Sequence, residues 1–131
     1  MKKPAQVIII DDDETTNMLC TIIIRHALGP DTEIKTFTLA DDCINYLKQD
    51  TKKTGYKIVM FLDINMPVTT GWDALHMFDE LDSNIKQQLS IFMLSSSINL
   101  NDKKRALEHS LVVDFIEKPL TIEKVNRILE H

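Results

Sequence analysis

Four places in the chain carry side chains that complement one another: the acidic run Asp11-Asp12-Asp13, the carboxylate of Asp63, the hydroxyl of Ser95 and the ammonium of Lys118. Crowded carboxylates repel one another and ionise comfortably only beside a cation. Mg2+ suits such a set, because it takes carboxylate and carbonyl oxygens and keeps several waters. A divalent cation, an ammonium and a hydroxyl around one carboxylate favour a group more negative than the carboxylate itself. A phosphoryl group transferred onto Asp63 is such a group, and Asp63 would then be the nucleophile.

Each of these residues ends or closely follows an apolar run. Val7-Ile8-Ile9-Ile10 precedes Asp11, Ile58-Val59-Met60-Phe61-Leu62 precedes Asp63, and Ile91-Phe92-Met93-Leu94 precedes Ser95. A fifth run, residues 111–116, leads through Glu117 to Lys118 and Pro119. Short apolar runs rich in β-branched residues read as buried parallel strands. Residues 33–38 read as a weaker, more polar second strand at an edge. Alone, each polar residue would pass for a cap or a surface turn, and Asp63 beside Pro67 and Gly71 is typical of one. Four complementary residues at four strand ends are harder to explain that way.

Helices alternate with the strands. Leu19, Ile22, Ile23 and Ala27 lie at helical spacing in the first, as an apolar face would, and Gly29-Pro30 closes it. Thr38 caps the second, with Asp41 in an approximate capping box and Ala40, Cys43, Ile44 and Leu47 inward. After the polar connection 50–56 and the third strand, Gly71 turns into a helix carrying Ala74, Leu75, Phe78 and Leu81. Residues 82–89 read as a polar loop. The fourth helix, about 101–110, has little apolar surface to bury and belongs at the low-stability end of the molecule. Thr121 caps the last, with Ile122, Val125, Ile128 and Leu129 inward. Five strands alternating with five helices predict an α/β sandwich around a mostly parallel sheet. Right-handed crossovers then bring every strand's C-terminal end, and all four functional positions, to one edge.

The bulk numbers are compatible with this. At 131 residues the chain is read as one domain spanning 1–131, with 44% apolar and 27% charged residues. A formal charge of −5 argues against nucleic acid as a partner. No apolar run is long enough to cross a bilayer and no signal peptide is visible, so a cytoplasmic location is expected. Cys20 and Cys43 form no CxxC pair and read as buried thiols. The final Leu129-Glu130-His131 could be a tag junction, and His131 is given no weight. His26, His76 and His109 avoid the strand ends and read as solvated helix residues. The acidic run lacks the alternation and central Gly of a calcium loop, and no phosphate-binding Gly-rich loop is present.

Taken together, Ile10-Asp11-Asp12, Asp63-Ile64-Asn65-Met66-Pro67 with Gly71, Leu94-Ser95-Ser96 and Lys118-Pro119 resemble the receiver domain of bacterial two-component response regulators. The likeness covers about residues 6–130. It implies the flavodoxin-like (βα)5 fold with strand order 2-1-3-4-5 and Asp63 as phosphoacceptor. It further implies Mg2+ held by Asp12, Asp63 and the Asn65 backbone carbonyl, with Asp11 acting through water. Ser95 and Lys118 would contact the phosphoryl oxygens, Phe115 would be the aromatic switch residue, and the Lys118-Pro119 bond would be cis. Ser95 and Phe115 stand where the family often has Thr and Tyr. The donor would be a sensor histidine kinase or a histidine phosphotransfer protein. A downstream protein would be met through the fourth helix, fifth strand and fifth helix, and no output domain is seen after them. A shuttle between histidine-containing proteins is the alternative. A phosphatase using Asp63 is disfavoured, since a second Asp would be wanted where Asn65 stands.

Overall fold

Strands form where the chain is short, apolar and β-branched, and in the computed structural model they assemble into a single parallel sheet. The structure describes residues 4–49, 56–97 and 99–129. The strands are β1 (Gln6–Ile10), β2 (Ile34–Phe37), β3 (Ile58–Asp63), β4 (Leu89–Ser95) and β5 (Val112–Glu117). They lie in the order β2-β1-β3-β4-β5, every neighbouring pair parallel. The expected flavodoxin-like order is therefore observed, with β2 at an edge. The connection at 50–55 and the terminal Glu130 and His131 lie outside the described residues.

The helices are α1 (Glu14–Leu28), α2 (Ala40–Gln49), α3 (Gly71–Asp79), α4 (Ser83–Lys86), α5 (Leu100–Leu107) and α6 (Ile122–Ile128). The polar loop expected at 82–89 holds the one-turn helix α4, which makes six helices among the described residues rather than five. Four residues are too few to show a helical period. The switch face expected from sequence thus becomes α5, β5 and α6.

Alternation along the strands divides the core into two layers. Ile8, Ile10, Met60, Leu62, Ile91 and Met93 face α2 and α3, where Cys43, Leu47, Ala74 and Phe78 meet them. Val7, Ile9, Val59, Phe61, Phe92 and Leu94 face the other way, against Cys20 and Ile24 of α1 and Val125 and Ile128 of α6.

One helix is turned from the expected orientation. The buried residues of α1 are Asn17, Cys20 and Ile24, while Leu19 and Ile22 are each 57% exposed and Met18 is 62% exposed. Ile23 and Ala27, also in the expected stripe, pack partly buried against the second layer. The helix carries two competing stripes, and the inward one is masked in sequence because it includes an asparagine. At the other extreme, α5 buries only Ala106, and Leu100 is 77% exposed. The sparse packing expected of this segment is what the structure has.

Candidate functional site

The site lies where the β1, β3, β4 and β5 ends converge. Asp63 is the last residue of β3 and Asp11 directly follows β1, and each is only 3% exposed. Asp12, next in the chain, is exposed. Asp13 begins the helix as expected, its side chain capping α1 by accepting from the Thr15 N–H at 2.9 Å. Carboxylate oxygens of Asp11, Asp12 and Asp63 all lie within 4.8 Å of one another.

Lys118 reaches into this group from the end of β5. Its Nζ donates to Asp11 Oδ2 at 2.9 Å and lies 3.2 Å from Asp63 Oδ1. Backbone N–H groups hold the same two carboxylates. Asp11 Oδ1 accepts from Asp13 N at 3.0 Å, and Asp63 Oδ1 accepts from Asn65 N at 3.1 Å. Lys118 is itself anchored by its N–H to Ser95 O at 2.7 Å, and the Lys118-Pro119 bond is cis, as expected.

Close packing fixes the loop after Asp63. Gly71 N donates to Ile64 O at 3.0 Å, and a Cβ at Gly71 would sit 2.7 Å from Ile64 Cα and 3.0 Å from Asp63 O. Only glycine fits there without displacing the backbone that carries the carboxylate.

The electrostatics follow from this crowding. Burial raises the Asp63 pKa and the nearby Asp11 charge adds to it, while the Asn65 N–H and Lys118 oppose the rise. Burial alone would lower the Lys118 pKa, but its hydrogen bond to Asp11 and the Asp63 and Asp11 charges outweigh it and raise the value. Lys118 is thus a firmly held cation. Cys20, behind the site, has its thiol pushed up to about 11, mainly by burial, and burial raises Cys43 too. Neither is a nucleophilic thiolate at neutral pH.

The structure brings Asp11, Asp12, Asp63 and Lys118 together and places Ser95 at the neighbouring strand end. The Ser95 hydroxyl is turned to its own loop, donating to Ser97 O at 2.7 Å and accepting from Ser97 N at 3.3 Å. Phe115 is 3% exposed and packed in the α2–α3 layer. His26 and His76 are exposed, as expected. His109 instead lies beyond α5, half-buried, and its Nδ1 accepts from Leu111 N at 3.2 Å. Asn17 was not singled out from sequence, yet its Nδ2 donates to Asp11 O at 2.9 Å and Phe37 O at 3.3 Å. The available signal was an amide six residues after Asp11, inside the helix that follows.

An all-oxygen cluster of this size is the donor set of a hard divalent cation such as Mg2+. One ammonium among three carboxylates leaves the pocket negative, so the residues fit that ion.

Solved structures of similar shape include a two-component response regulator from Cytophaga hutchinsonii, 29% identical, with TM-score 0.83 over 98% of this chain and 96% of that one. A CheY-like receiver domain protein from Methanospirillum hungatei is also 29% identical, with TM-score 0.63 over 95% of this chain and 88% of that one. The chemotaxis protein CheY4 of Vibrio cholerae shares the fold at 19% identity, with TM-score 0.75 over 98% of both chains. No curated protein matches the chain. The family model for the response regulator receiver domain matches residues 7–130. With its strand order and its acidic strand ends, the chain belongs to the response regulator receiver domain family, the signalling module of two-component systems.

Proposed function

We propose that Asp63 accepts a phosphoryl group from a phosphohistidine and that the resulting charge changes which partner the domain binds. The observation that carries this reading is the Lys118 ammonium shared between Asp11 and Asp63, with Asp12 beside them at the open end. A carboxylate oxygen of Asp63 attacks phosphorus, the P–N bond to the imidazole breaks, and the histidine leaves neutral after taking a proton. Lys118 stays with its two carboxylates and offers its charge to the incoming phosphoryl oxygens. The Ser95 hydroxyl has only its own loop to leave in order to donate to the same group. Asp12, Asp63 and the Asn65 carbonyl would hold Mg2+, with Asp11 through water, and the cation would neutralise charge on the phosphoryl oxygens. Hydrolysis of the acyl phosphate returns the carboxylate, so the domain is a phosphoacceptor rather than an enzyme with a separate substrate.

The donor's approach is supported by the turned α1. Met18, Leu19 and Ile22 are exposed, and a groove of about 390 Å³ lined by Leu19, Cys20, Ile23, Pro119 and Leu120 runs from this patch to Lys118. A histidine kinase or phosphotransfer protein that covers this patch brings its histidine to the strand ends. The downstream protein would use α5, β5 and α6; a shuttle would pass the group to a second histidine by the first route. No helix among the described residues is long and apolar enough to cross a membrane.

A small acyl phosphate with Mg2+ should add one phosphoryl group to the wild type and none to Asp63→Asn, read by intact mass. Equal labelling of both would move the acceptor elsewhere. Ile22→Glu should leave that labelling unchanged but slow transfer from a phosphohistidine protein by about tenfold, the effect of losing one good interface contact. An unchanged transfer rate would place the donor on another face.

A further inference from the structure

Asn17 occupies a position on the inward face of α1 where a helix packed on a sheet ordinarily carries an apolar side chain. It is 3% exposed, and its Oδ1 is buried with no hydrogen-bond partner among the described residues. An unpaired buried amide oxygen opposes folding, and a leucine there would leave none. What the asparagine provides is its Nδ2, which donates to Asp11 O at 2.9 Å and to Phe37 O at 3.3 Å. Phe37 O also accepts Asp11 N at 3.1 Å, the bond that joins the ends of β1 and β2. One amide therefore ties both strand ends to the helix that follows.

The Asp11 carbonyl belongs to the peptide that joins Asp11 to Asp12. Successive side chains of an extended chain project to opposite sides, so the tilt of that peptide sets both directions at once. Here Asp11 goes inward to Lys118 and Asp12 stays at the exposed mouth. We propose that Asn17 is a positioning residue for the acidic site, clamping the Asp11–Asp12 peptide so that Asp12 faces a bound cation while Asp11 keeps hold of Lys118. This rests on the reading of Asp12 and Asp63 as cation ligands. A merely structural Asn17 would fasten α1 to the sheet and leave the cation untouched.

The two roles separate in a Mg2+ titration of the unphosphorylated protein, followed by the backbone amide shifts of residues 12 and 65, beside a thermal melt. Asn17→Leu should raise the half-saturating Mg2+ concentration at least fivefold while the protein stays folded. Labelling by a small acyl phosphate should return to the wild-type rate at saturating Mg2+. Asn17→Ser, which removes the same reach without adding apolar bulk, gives the same readout if the leucine variant does not fold. Wild-type Mg2+ affinity in a folded variant, with Asp12→Ala still weakened, overturns the positioning role alone. Wild-type affinity in Asp12→Ala overturns the cation reading and this proposal with it.

Discussion

Asp63, the proposed phosphoacceptor, shows what a buried acid does to its own fold. Its carboxyl is buried beside a second acid, and its pKa is raised by burial first and by Asp11 next. A carboxyl that binds its proton more tightly when folded stabilises the fold at low pH and loses that contribution as pH rises through the raised value. At neutral pH that contribution is reduced, so the buried Asp63 carboxyl burdens the native state. Asp63→Asn should melt higher than the wild type at pH 7, and the gap should close as the pH falls from the raised value to about 4, where the ordinary aspartate titrates, and stay closed below it. A variant that melts lower at pH 7 would mean that the pairing with Lys118 outweighs the burial. The charged and hydroxyl residues of the site were legible in sequence because each ends a strand, and parallel strands deliver their ends to one edge. Asn17 was not, because its partners are main-chain carbonyls from two strands that only the folded sheet brings together.

Elements were legible to the extent that their apolar pattern was unambiguous. The second helix, with Ala40, Cys43, Ile44 and Leu47 buried as expected, had one stripe. The first had two, and its true inward face was disguised by Asn17. Strand boundaries moved by a residue or two, and the single turn of α4 left no periodic trace. The weak anchoring of α5 was readable as a lack of apolar residues, but one of its fastenings was not. Arg105 lies over the Trp72 ring of α3, 4.1 Å from the centroid. A stack of this kind contributes ~0.5–1 kcal/mol at an exposed site. With only Ala106 buried, that is a sizeable share of what holds the helix. Arg105→Ala should speed amide exchange in α5 by roughly two- to fivefold, the fold-change of that energy, without altering Asp63 labelling. In the wild type, beryllofluoride with Mg2+ should change exchange most between residues 95 and 115. A change confined to α1 and α2 would contradict the route from Ser95 into α5.

At the scale of the whole molecule, the fold is a consequence of period and order, and both are printed in the sequence. Alternating short apolar runs and amphipathic helices leave a parallel sheet covered on both faces as the economical arrangement. The strand order β2-β1-β3-β4-β5 was reached through the resemblance carried by the acidic, hydroxyl and Lys-Pro motifs rather than through the pattern alone. What the folded chain adds is charge placement: one ammonium held between two buried carboxylates, with a third at the mouth. On the proposed function, that ammonium and a cation held by the carboxylates offset the charge of a phosphoryl group at one particular carboxylate. Treating the acyl-phosphate-labelled protein with borohydride reduces an aspartyl phosphate to homoserine, and peptide mass spectrometry then locates it. The account requires homoserine at position 63; homoserine at position 11 or 12 instead, or phosphate retained on a serine, would contradict it.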